Sequence, residues 1–263
     1  MKTINKTLII AIVVWIILAI IFGIYDGIYD LSISIAVVDE SSNWGNFGAD
    51  YGEPPGYALI AIALATFLGG FFKNLHLQKI PAYISIFAGV LFILFAGDNT
   101  DILTGLGLIV PIIFYVVITW NKDWSTYRTI SGIISLLAII HPLLFVQLVK
   151  VFWGRIRFRD LSPGFADFTP WFIPQGITGN QSFPSGHASM GWMFLPLLIP
   201  LRKWQWKSPI RILGTILIIG WGFFVGLSRI VVGAHYASDV LFSTFVSILV
   251  TILLYKKYYL KQE

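Results

Sequence analysis

Apolar residues run along this chain in eight long blocks separated by short polar stretches. The blocks cover about 8–25, 57–72, 81–97, 102–120, 129–149, 185–201, 210–227 and 236–255. Each is close to the ~20 residues that a bilayer-crossing helix needs. A helix satisfies its own backbone hydrogen bonds in lipid, so the pattern predicts an all-α, polytopic membrane bundle of about eight transmembrane helices. The first block follows Lys2 and Lys6 but lacks a small-x-small cleavage pattern, so we read it as a retained helix rather than a signal peptide. We treat 1–263 as a single integral membrane domain, with 1–128 forming the N-terminal helices.

Charge orients the bundle. Only 12% of the 263 residues are charged, against roughly 25% in soluble domains. With the N-terminus placed in the cytoplasm, 13 of the 18 basic residues fall in cytoplasmic segments, as the positive-inside rule favours. The C-terminus then also lies in the cytoplasm. The net charge of +5 therefore reflects topology and implies no nucleic-acid partner. Most acids, including Asp26, Asp30 and Glu53, fall in outer segments. With no cysteine, disulfides, thiol nucleophiles and thiolate metal sites are excluded.

Five basic residues break the charge rule: Lys150, Arg155, Arg157, Arg159 and Arg229. All lie at the outer ends of predicted helices, beside three polar stretches, "KVFWGRIR", "FPSGH" and "SRIVVGAHYASD". Alternating topology brings these stretches to one face. Lys150, Arg157 and Arg229 suit the oxygens of a phosphate group, with arginine offering a two-pronged fork. Ser185 and Gly186 open a predicted helix, where free N–H groups and the dipole favour an anion. His187 follows in its first turn. His235 and Asp239, four apart, share one helical face, so the carboxylate can orient the imidazole as a nucleophile. His187, with no carboxylate at helical spacing, is left as general acid. A zinc site built from His187, His235 and Asp239 would sit among three cations, which is unfavourable.

The chain resembles the type 2 phosphatidic acid phosphatase family, the lipid phosphate phosphatases. Their pattern K-x6-R-P, P-S-G-H, S-R-x5-H-x3-D is similar to Lys150…Arg157, Pro184-Ser185-Gly186-His187 and Ser228-Arg229…His235…Asp239. The resemblance covers about 150–239, within a catalytic half spanning 129–263. It implies a six-helix core, no metal or other cofactor, and His235 as a nucleophile that forms a phosphohistidine. It also implies Asp239 as its partner, His187 as acid, and Lys150, Arg157, Ser185, Gly186 and Arg229 as phosphate-binding residues. One departure is Phe158, where the family has proline after Arg157; Arg155 or Arg159 could then share the work of Arg157.

The resemblance implies a metal-independent phosphatase in the plasma membrane. It would hydrolyse a lipid phosphate or diphosphate at the extracytoplasmic face, such as a polyprenyl diphosphate, phosphatidylglycerophosphate or a lipid A phosphate. A lipid phosphotransferase with the same phosphohistidine and a second lipid as acceptor is the alternative. Elsewhere, His141 beside Pro142 reads as a kink with a hydrogen-bonded histidine. Gly69-Gly70 reads as close helix packing, and "FADFTPWF" as either an interfacial anchor or a lid.

Overall fold

The computed structural model describes residues 2–97 and 99–259 and is helical throughout its regular elements. α1 spans Lys2–Val37, α2 Asn43–Tyr51, α3 Pro54–Gly69, α4 Ile80–Leu94 and α5 Asn99–Ile118. α6 spans Arg128–Ala138 and continues through a π-helix, Ile139–Val146, into α7, Gln147–Trp153. α8 (Gly186–Gly191) and α9 (Leu198–Leu201) are joined by a 3-10 segment, and α10 (Pro209–Val231) and α11 (Ala237–Tyr258) complete the chain. Eight helical segments among the described residues stand where the eight blocks were expected. Six of these are long and apolar enough to cross a membrane; α3 and the broken α8–α9 pass are shorter.

The passes are not equivalent. α1 lies against α11, and α3 against α6, while α10 packs on α8 and α11. α4 and α5 make their main contacts with each other and with α3. They form a peripheral hairpin beside a six-pass core made of α1, α3, α6–α7, α8–α9, α10 and α11. Large apolar side chains such as Ile84, Phe87, Phe114 and Val117 point outward, as lipid-facing positions require.

α1 is 36 residues long, well beyond the predicted block. Asp26 and Asp30, expected in the outer loop, lie within it. The reason is an inverted amphipathicity. Gly23, Gly27, Asp30 and Ser34 form the buried stripe, while isoleucines face outward. Hydropathy falls where the helix begins to serve the interior rather than where it ends.

The π-helix accounts for the expected kink. Pro142 lacks an N–H and its ring would collide with the carbonyl one turn back, and the wider π-turn accommodates it. His141 is buried there; its Nδ1 lies 2.9 Å from Ser247 Oγ.

At the end away from the polar motifs, Gly69 closes α3 where a Cβ would lie 2.1 Å from Gln78 O. The glycine admits a loop rather than a neighbouring helix. Gln78 donates to Asp123 (2.7 Å) and accepts from Trp124 N–H (2.7 Å), tying two loops together.

The aromatic loop is tied to α1 through Trp171. Trp171 stacks on Phe183, and its indole N–H donates to Gly23 O of α1. A Cβ on Gly27 would lie 2.6 Å from Trp171 Cδ1, whereas one on Gly220 of α10 would meet nothing within 4 Å among the described residues. Gly27→Ala is therefore expected to cost about 1–3 kcal/mol through overpacking. Gly220→Ala is expected to be neutral or to gain about 0.5–1 kcal/mol by removing a helix-interior glycine. Thermal unfolding midpoints in detergent check the contrast, and equal midpoints for the two variants would contradict this packing.

Candidate active site

The chain reaches the site through two helix ends. α7 stops one turn after Lys150 because Gly154 adopts a left-handed conformation (φ 62°) and its N–H returns to Lys150 O. A side chain there would also strike Gly176 O, 2.1 Å from a Cβ. Lys150 is thus held at a helix terminus, close to Gly186, where a Cβ would lie 3.5 Å from its Nζ. Ser185 caps α8, its Oγ accepting from Ala188 N–H (3.3 Å) and its own N–H donating to Asp239 O (3.2 Å). The cap places His187 in the first turn.

His235 sits in the turn between α10 and α11, and its backbone N–H and that of Ala234 both donate to Arg229 O at 3.1 Å. The imidazole is buried. Its Nδ1 lies 2.6 Å from Ser182 O. A carbonyl oxygen only accepts, so Nδ1 carries the proton and Nε2 carries the lone pair. Asp239 Oδ2 is farther away, 3.6 Å from Nδ1. It is held back because it also caps α11, accepting from Tyr236 N–H (3.0 Å), and accepts from Ser182 Oγ (2.6 Å). Asp239 therefore supports His235 largely through Ser182, a residue that the spacing of His235 and Asp239 does not reveal.

Burial drives the pKa of His235 down to about 4. Asp239 pulls in the other direction, and Lys150 and Arg229 add to the lowering. The ring is neutral at physiological pH, as a nucleophile must be.

Arg155 turns away from the cations. It is 1% exposed, with Nη2 on Asp30 Oδ2 (2.8 Å), Nη1 on Asp239 Oδ1 and Ser238 Oγ, and Nε on Thr169 O (3.0 Å). Tyr236 covers its guanidinium face at 3.9 Å. All three of its nitrogens are engaged by the protein. Arg159 is exposed, 3.9 Å from Asp160.

Lys150, Arg157 and Arg229 lie within electrostatic reach of one another, with Glu53 nearby. Arg229 is buried, and its Nε has no hydrogen-bond partner among the described residues. Arg157 stands in extended backbone (φ −75°, ψ 154°), the conformation that a following proline would favour. Phe158 achieves this by packing, stacked on Phe165 and edge-on to Tyr236.

The second histidine has a carboxylate after all. Glu53, at the start of α3, places Oε1 3.0 Å from His187 Nδ1. Glu53 Oε2 accepts from Tyr57 Oη–H at 2.8 Å. The sequence offered only one signal for Glu53: an acid at the outer end of a span, where the motif residues also gather.

The structure thus brings Lys150, Arg157, Ser185, Gly186, His187, Arg229, His235 and Asp239 to one end of an all-helical membrane bundle. This defines a multi-pass membrane protein with an anion-suited histidine site. The PAP2 superfamily matches residues 131–263, and the chain belongs to that superfamily. Among curated relatives, a lipid A 1-phosphatase of Rhizobium etli is 28% identical over 125 residues, 46% of this chain and 47% of the relative. A lipid A 1-phosphatase of Rhizobium johnstonii is 27% identical over 125 residues, 46% of this chain and 45% of the relative. The aligned part spans about half the length of each. No solved structure gives a significant match.

The tautomer and protonation of His235 are directly measurable. Nitrogen NMR shifts of labelled histidine, assigned with a His235→Gln variant, are expected to show a neutral ring protonated at Nδ1 at pH 5.5, with charging only as pH falls toward about 4. A His235 ring half-charged near pH 6.5 would contradict the geometry.

Proposed function

We propose that this protein is an integral membrane phosphatase that hydrolyses a lipid phosphate or diphosphate through a phosphohistidine. The observation that carries the reading is a buried, neutral histidine, its tautomer fixed by Ser182 O, beside three cations, one of which has a guanidinium N–H without a partner among the described residues. Those cations suit an anion whose charge is spread over several oxygens.

In the proposed reaction, Lys150, Arg157 and Arg229 hold the phosphoryl oxygens, with Ser185 and Gly186 shaping the near side. Nε2 of His235 attacks phosphorus as the bond to the leaving oxygen breaks. His187 gives that oxygen its proton. Water, losing a proton to His187, then attacks the phosphohistidine, releasing phosphate and restoring His235. The exposures fit these roles: the His235 side chain is 3% exposed and the His187 side chain 27%, so the acid is the ring that can meet a departing group. Because positive side chains already supply the charge stabilisation, the reaction is read as metal-independent.

A lipid substrate is supported by a groove. A cavity of about 350 Å³ begins at Glu53 and Gly186 and runs between α3 and the π-helix past Tyr57 and Leu64. A second, of about 500 Å³, shares Leu64, Ser135 and Ile139 in its wall and continues to Arg128. From Glu53 to Leu68 the α3 wall is about 22 Å long, most of the ~30 Å hydrocarbon thickness. A tail can lie there while its headgroup meets the histidines. Among candidate substrates, the names of the relatives add weight to a lipid A phosphate, beside polyprenyl diphosphate and phosphatidylglycerophosphate. The charge distribution supports an active site on the extracytoplasmic face of the plasma membrane, with both termini in the cytoplasm.

Purified protein in detergent with excess EDTA is expected to release inorganic phosphate from at least one lipid of that panel and to be inhibited by vanadate. Activity lost to EDTA and restored by zinc would overturn the metal-independent reading. Transfer of phosphate to a second lipid without release would favour the phosphotransferase.

A further inference from the structure

We infer that Glu53, from the helices outside the matched region, is the positioning residue for the acid His187, so that the site uses two histidine–carboxylate pairs rather than one. The inference rests on the reading of His187 as general acid. Its physical basis is geometric. A carboxylate only accepts hydrogen bonds, so Glu53 Oε1, 3.0 Å from Nδ1, favours a proton on that nitrogen, while the ring has a second, backbone hydrogen-bond partner at Ala49.

The glutamate is itself constrained. It sits at the residue before α3, where Pro54 and Pro55 open the helix, and Tyr57 one turn later donates to its second oxygen at 2.8 Å. Neither oxygen is therefore free to swing away without losing a bond.

Electrostatics gives the pair its purpose. A general acid must carry a second proton before the leaving group departs. Burial first, and then the field of Arg229, His235 and Lys150, oppose an added positive charge on the His187 ring. A carboxylate 3.0 Å from the ring is the group whose charge favours the second proton. His235 has the reverse need. It must stay neutral to attack, and its nearest acceptor is a neutral carbonyl, with the carboxylate of Asp239 at 3.6 Å. The two rings thus differ in the closeness of their carboxylates: Asp239 stands 3.6 Å from the nucleophile, which is bonded to the Ser182 carbonyl, while Glu53 stands 3.0 Å from the acid, which also has a backbone partner at Ala49. Glu53 and Gly186 also line the mouth of the apolar groove, so the acid pair stands where a lipid tail would enter.

The test compares two esters. Hexadecyl phosphate leaves as an alkoxide that needs a proton; 2,4-dinitrophenyl phosphate leaves without one. Wild type, Glu53→Gln, His187→Ala, the double variant and Tyr57→Phe are assayed on both. Glu53→Gln is expected to lose about 10- to 100-fold on the alkyl ester, part of the roughly 100- to 10,000-fold that acid help is worth, and little on the aryl ester. The double variant should be no slower than His187→Ala alone. Tyr57→Phe, which keeps the carboxylate but frees one oxygen, should show the same ester dependence more weakly. A merely structural Glu53 would slow both esters alike and multiply with His187→Ala, and that result overturns the proposal. If Glu53→Gln does not fold, Tyr57→Phe carries the same decision. If His187→Ala shows the ester dependence and the Glu53 and Tyr57 variants do not, only the Glu53 proposal falls. If His187→Ala slows both esters equally, the acid reading falls and takes this one with it. If wild type hydrolyses neither ester, the proposed function itself is wrong.

Discussion

The geometry of the site depends on one buried guanidinium. Arg155 lies between Asp30 of α1 and Asp239 of α11, with Ser238 bridging and Tyr236 covering its face. In an apolar interior, one cation between two carboxylates satisfies most of its charge only if every partner is in place. Removing one partner of such a buried pair typically costs about 3–5 kcal/mol, because the other charge is left unpaired. The arrangement therefore locks α1, the loop after α7 and the start of α11 into one relation. Asp239, held on both oxygens, in turn fixes Ser182, and Ser182 O fixes His235. The position of the proposed nucleophile is the last link in a chain that begins on the first helix.

From this follows a division of the arginines. Arg155 and Arg157 are two residues apart, yet Arg155 is buried among carboxylates while Arg157 stands in extended backbone beside Lys150 and Arg229. One stabilises the frame and the other is available to an anion. Gly154 ends α7 ahead of both residues, so neither is held to helical spacing and each takes its own partners. Phe158 then aims Arg157 by aromatic packing where a proline would have aimed it by its ring.

The second-half site was legible because its spacings are local. His235 and Asp239 lie one turn apart, and loop counting alone puts Lys150, His187 and Arg229 at the same end. Asp30, Glu53 and Ser182 were not legible, for a common reason. Each acts on a residue far away in sequence, and no periodicity marks such a contact. Asp30 was further hidden because hydropathy falls where α1 turns a polar stripe inward, so the apolar block ends at Tyr25, before the helix does. The eight passes were readable from length, but their inequality was not. That α4 and α5 stand outside a six-pass core is a matter of packing rather than composition. His141 was readable as a kink beside Pro142, though not as a π-helix, since the sequence does not say which way the backbone will relieve a proline.

The central claim is that His235 becomes covalently phosphorylated. A lipid phosphate radiolabelled in its phosphate, mixed with purified protein and quenched in denaturant at alkaline pH, tests it most directly. The account predicts a protein-bound label that survives base, is lost in mild acid, and disappears in His235→Ala. A label that persists in His235→Ala, or phosphate release by that variant at the wild-type rate, would contradict it.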